Sequence, residues 1–136
     1  MNYFLRILLF LLIATECFAA FAKESDVDIF KKCMHRTEQS RSACQAGCGM
    51  IVEQCYDEAV ADVENKISVI LSSLQRTNGG PCAELAKKYL EDASRMEQYT
   101  VEVADRLPGW IGSEMKLNFA KQRLINLQLI AARCNR

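Results

Sequence analysis

At 136 residues the chain is about one small domain, and 17 Lys and Arg against 17 Asp and Glu leave it without net charge. General binders of nucleic acid or of anionic membrane normally carry a clear positive surplus, so the composition disfavours both. Loss of Arg6 and Glu16 with a leader would leave that balance unchanged.

The first residues read as a secretory leader. Asn2 to Arg6 are a short polar start with one positive side chain, and Ile7 to Ala14 are almost unbroken apolar residues. Ala20-Phe21-Ala22 then puts small residues at the two positions a signal peptidase reads, ahead of the polar Lys23-Glu24-Ser25-Asp26. The apolar run falls short of the roughly 20 residues that span a bilayer. Glu16, large and charged, precedes Cys17 where lipid attachment would need a small residue. Residues 1–22 are therefore expected to be a signal peptide, with Ala19 or Ala20 as alternative cleavage positions, and 23–136 a single helical domain. The mature protein is expected to be periplasmic or secreted, without a stable membrane span.

The cysteines agree with that address. Apart from Cys17 there are six: Cys33, Cys44, Cys48, Cys55, Cys82 and Cys134. An even number in a short exported chain reads as three disulfides. A metal site would need reduced thiolates and, commonly, closely spaced histidines, whereas His35 is the only histidine. There is no Cys-x-x-Cys redox pair. No metal or cofactor is expected.

Breakers divide the rest. Gly47 and Gly49 flank Cys48, and the runs Asn78-Gly79-Gly80-Pro81 and Leu107-Pro108-Gly109 are turn-like, which gives four segments. Ile51, Cys55, Ala59, Val63, Ile67, Ile70 and Leu74 recur every three or four residues and predict one apolar helical stripe. In the third segment Leu85, Tyr89, Ala93, Met96, Val103 and Leu107 do likewise, with Pro81 suited to the first helical turn. In the fourth, Leu117, Leu124, Leu127, Ala131 and Cys134 share a face, and Ser113 is a candidate N-cap. Helices of this length joined by short turns prefer antiparallel neighbours. The expected fold is all-α, a small up-and-down bundle of three to four helices stapled by disulfides.

That topology brings the start of the third helix beside the end of the fourth, making Cys82 and Cys134 natural partners. At about 1.5 Å rise per residue, the step from Cys44 to Cys55 on a straight helix exceeds the roughly 7 Å that a disulfide can bridge. A helical hairpin turning between Cys44 and Cys48 permits Cys33–Cys55 across its arms and Cys44–Cys48 at its corner. Its arms are unequal, so one end must be irregular, and the spacing does not by itself decide among the pairings of these four.

Charge is unevenly spread. Glu53, Asp57, Glu58, Asp62 and Glu64 fall in one stretch without a base, and Lys116, Lys121, Arg123, Arg133 and Arg136 follow Met115 without an acid. Two accounts fit: the segments neutralise each other within the molecule, or one of them is a binding face. Catalytic patterns are missing. His35 has no free cysteine and no nucleophile-elbow serine to serve, and no glycine-rich phosphate loop follows a strand. Asp57 and Glu58 are adjacent carboxylates in a charged helical stretch, the usual form of a solvated face. The chain is not expected to be an enzyme.

Glu53-Gln54-Cys55, Asp62-Val63-Glu64-Asn65, and Leu71 with Leu74 resemble the first helix of the LprI-type lysozyme-inhibitor family, which begins at a cysteine and continues through an Asp-x-Glu-Leu-Asn-like core. Ala120-Lys121-Gln122-Arg123, closing on Arg133-Cys134, resembles that family's Gln-containing helix ending in cysteine. The leucine before Asn65 is absent, and Ile125 stands where the family usually has tryptophan. The resemblance implies an exported envelope protein that binds and blocks a cell-wall hydrolase. Alternatives are an immunity protein against a secreted wall-degrading toxin, a periplasmic chaperone, or an apolar-ligand carrier. For a protein partner, the segment from Asp105 to Glu114 offers the chain's only tryptophan, Trp110, between two carboxylates suited to a basic cleft. The competing reading has Trp110 folding back to cap the bundle. Glu53, Asp57 and Glu64, spaced to share one helix face, form a second candidate surface.

Overall fold

The computed structural model describes residues 28–77 and 80–134; the expected leader lies outside them. Among the described residues five helices follow in order: α1 (Ile29–Arg36), α2 (Glu38–Ala43), α3 (Gly49–Thr77), α4 (Pro81–Ala104) and α5 (Ile111–Cys134). No strand occurs among the described residues. The long helices α3, α4 and α5 run up, down and up, and α1 lies along α3. This is the expected small disulfide-stapled helical bundle.

Each helix begins and ends for a local reason. Asp28 caps α1, accepting a hydrogen bond from the Lys31 N–H at 3.3 Å, which satisfies a donor the first turn leaves free. Thr37 ends α1, its hydroxyl donating to the Cys33 carbonyl at 2.8 Å. The break at Thr37 is the irregularity that the unequal hairpin arms require. Gly80 takes a φ of 102° ahead of α4, a conformation that favours glycine, and Pro81 occupies the first turn as expected. Ser113 is a correction: α5 starts at Ile111, so Ser113 lies inside its first turn and is not the cap.

All three disulfides pair as the hairpin and antiparallel arguments allow. Cys33–Cys55 joins α1 to α3 with Cα atoms 5.3 Å apart. Cys44–Cys48 closes the corner at 5.7 Å, and Cys82–Cys134 ties the start of α4 to the end of α5 at 6.1 Å. Beside the first of these, Phe30 and Tyr56 meet with ring centroids 4.3 Å apart, and Arg36 pairs with Glu58 at 2.7 Å.

The core follows the expected stripes on two helices and departs on the third. On α3, Cys55, Ala59, Val63, Ile67 and Leu74 are buried, with Ile51 and Ile70 half-buried. On α5, Leu117, Ala120, Leu124 and Leu127 are buried. On α4 the buried residues are Ala86, Ala93 and Ala104, whereas Leu85, Met96 and Val103 are exposed, as is Leu107 in the turn beyond the helix. Of the stripe expected there, only Ala93 is core. The helix is turned by about a quarter of a revolution, so that a face of small residues packs chiefly on α5. On that turned face Tyr89 is half-buried, its hydroxyl accepting a hydrogen bond from Asn126 at 2.8 Å.

Candidate functional site

The antiparallel order places the start of α3, the end of α4 and the start of α5 at one end of the bundle, with the turn 105–110 across it. Gly109 adopts a φ of 86° and lets the chain reverse there, leaving Trp110 immediately ahead of α5. The indole folds back onto the first residue of α3. A methyl group built on Gly49 would come within 2.7 Å of Trp110 Cη2, so glycine at position 49 is what admits the ring. Trp110 nevertheless keeps 38% of its surface exposed. It is both a cap and an accessible aromatic face.

Met50, Leu107 and Ile111 are exposed apolar side chains in the same three segments. Isolated exposed apolar residues need no explanation, but several at one end of a fold together with an exposed tryptophan make a candidate recognition patch. The carboxylates named from sequence divide around it. Asp105 is tied to the first turns of α5: it pairs with Lys116 at 2.9 Å and covers Gly112, whose place a larger residue would lose against the Asp105 Cα at 3.1 Å. Glu114 is exposed and lies near Tyr56, whose hydroxyl is pushed up in pKa by burial and then by the Glu114 charge. Asp105 and Glu114 therefore do not form a free pair flanking Trp110; Glu114 alone is available.

The second candidate face also divides. Glu53 and Asp57 are exposed and make no ion pair among the described residues. Glu64, on the same helix face, is drawn inward to Arg123, which also binds Glu97 of α4. That three-helix cluster was not foreseen, because Glu97 and Arg123 lie 26 residues apart and nothing local marks them as partners. Of the named carboxylates, Glu53, Asp57 and Glu114 make no ion pair among the described residues; the first two lie within the first three turns of α3 and the last in the first turn of α5.

Glu58 is bound by Arg36 and by Gln54, and the Arg36 hydrogen bond holds its carboxyl below the ordinary range, which suits a permanently ionised ion-pair partner rather than a proton donor. His35 is exposed in the last turn of α1. Among the described residues no cluster of His, Cys, Asp and Glu is grouped to hold a metal ion, and no helix is long and apolar enough to cross a membrane. A groove of about 840 Å³ runs between α3 and α5, floored by Val63, Ile70 and Leu124 and edged by Lys121 and the Asp62–Lys66 pair at 3.1 Å. It brings no nucleophile and base together. The candidate site is the Trp110 end of the bundle, and it stands on its own geometry: the chain matches no family model, no curated protein and no solved structure.

Proposed function

We propose that this is an exported protein that acts by binding another protein of the cell envelope, docking it on the Trp110 end of the bundle. The observation that carries the reading is the part-exposed indole seated on Gly49, with Met50, Leu107 and Ile111 exposed at the same end of the bundle and with Glu53, Asp57 and Glu114, which make no ion pair among the described residues, in the early turns of α3 and α5. A pre-oriented aromatic anchor loses little freedom on binding. Such carboxylates complement a basic partner and speed its approach. Three disulfides suit an oxidising compartment, and the periplasm or the exterior is the proposed location. Lysozyme-type peptidoglycan hydrolases are the proposed partner class, on the strength of the family resemblance together with these carboxylates. Immunity against a delivered wall-degrading toxin would use the same surface.

Activity assays test this directly. Added to a lysozyme clearing a peptidoglycan suspension, the disulfide-intact protein is expected to slow clearing in proportion to its concentration and to clear nothing alone. Intrinsic peptidoglycan turnover, abolished by Asp57→Asn or Glu58→Gln, would overturn the reading.

A further inference from the structure

A different face of the molecule carries a second inference. The stripe on α4 that the core does not use comprises Leu85, Met96, Tyr99 and Val103, with Met96 74% and Tyr99 73% exposed. Residues 96, 99 and 103 follow helical spacing, so three large apolar side chains line one face of the C-terminal half of α4 without a partner among the described residues.

The charges beside that stripe say what covers it. Glu91, Arg95, Glu102 and Arg106 are spaced four, seven and four residues apart, which puts them along one flank of the helix and of the single turn that continues it. Read along the chain their signs are minus, plus, minus, plus. Spacing that is symmetric with signs that are antisymmetric is self-complementary when the helix meets itself in the opposite direction. A two-fold axis between Gln98 and Tyr99 sets Arg95 opposite Glu102 of the second copy, and Glu91 opposite that copy's Arg106. Parallel pairing would set this flank against the opposite flank of the second copy, where these charges do not meet. In an antiparallel helix pair the same flank of each helix meets, so these contacts form while Met96, Tyr99 and Val103 interleave between them.

The local partners of these groups do not oppose the arrangement. Arg95 bonds Asp92, Gln98 donates to Glu102 at 3.0 Å, and Lys87 lies 3.9 Å from Glu91, all exposed contacts within one helix. Such contacts are weak and exchange easily with a facing charge. Arg106 has no ion-pair partner among the described residues.

We infer that α4 is a self-association surface that pairs antiparallel with α4 of a second copy of this chain, through Met96, Tyr99 and Val103 with reciprocal Arg95–Glu102 contacts. The surface is small beside the roughly 800 Å² per partner of a stable complex, so the dimer forms reversibly and with concentration. Sedimentation velocity of the disulfide-intact protein over about a hundredfold range of concentration reads it. The expected result is a shift from monomer to dimer that Tyr99→Asp abolishes. R95E and E102R, each setting like charges face to face, should weaken association by about tenfold or more, and the double variant R95E/E102R should recover most of the loss. All four substituted proteins keep an intact core, which their circular dichroism should show. A monomer at every concentration overturns the inference, as does a dimer indifferent to Tyr99→Asp or a double variant no better than the singles.

Discussion

The double substitution Cys82→Ala, Cys134→Ala is expected to lower folding stability by about 4 kcal/mol. The bond closes a loop of 52 residues between the start of α4 and the end of α5. Releasing it returns that loop's freedom to the unfolded chain and lets both helix ends fray. Cys44–Cys48 spans only four residues, so removing it should cost roughly half as much. Denaturant unfolding followed by circular dichroism separates the two cases. Equal losses for both pairs would show that loop length is not what makes the long staple effective.

The second large effect concerns the ionic cluster linking the three long helices. Arg123 keeps only 14% of its side chain exposed and binds Glu64 and Glu97 together. Arg123→Ala leaves two facing carboxylates, one half-exposed and one nearly buried, without a cation. A loss of about 3 kcal/mol at neutral pH is expected, the lower part of the range for breaking a buried pair because water screens Glu64. Burial pushes the Glu97 carboxyl above its ordinary range, against the pull of the Arg123 charge and hydrogen bond. An acid whose pKa is raised by folding favours the folded state under acidic conditions, and that contribution is lost as pH rises through the folded value. Two consequences separate the partners. Glu97→Gln should be mild at neutral pH, within about 1 kcal/mol, since it removes a poorly solvated charge while Glu64 keeps the guanidinium paired. The deficit of Arg123→Ala should shrink as pH falls through the raised Glu97 value, because that carboxylate then takes up a proton and no longer needs a cation. A deficit independent of pH would mean that Arg123 acts by packing alone.

Much of this fold was legible because α3 and α5 each carry one dominant apolar stripe, and because cysteine positions limit how antiparallel helices can meet. The register of α4 was not. That helix has two overlapping stripes, Ala86, Leu90, Ala93 and Ala104 on one side and Leu85, Met96, Tyr99 and Val103 beside it. Periodicity ranks them by size and selects the larger, whereas close packing against α5 selects the smaller. Glu97 falls on the packed side and disguises it further, its compensating arginine being on another helix. At the candidate site Trp110 could be singled out by type, but not its seat. The ring rests on Gly49 across the bundle, and only the closed fold shows that a glycine at the start of α3 makes room for it. The same holds for the carboxylates. Sequence spacing grouped Glu64 with Glu53 and Asp57, and a guanidinium from α5 removed it from that surface.

The most direct test of the Trp110 surface is calorimetric titration of a lysozyme-type hydrolase with the disulfide-intact protein and its Trp110→Ala variant, with the melting temperature of each recorded alongside. Saturable binding is expected for the parent, weakened by about 2 kcal/mol, some thirtyfold, in the variant at a temperature where the melting curves show both proteins fully folded. A lower melting temperature with unaltered affinity would make Trp110 a structural cap only and contradict its role as the anchor.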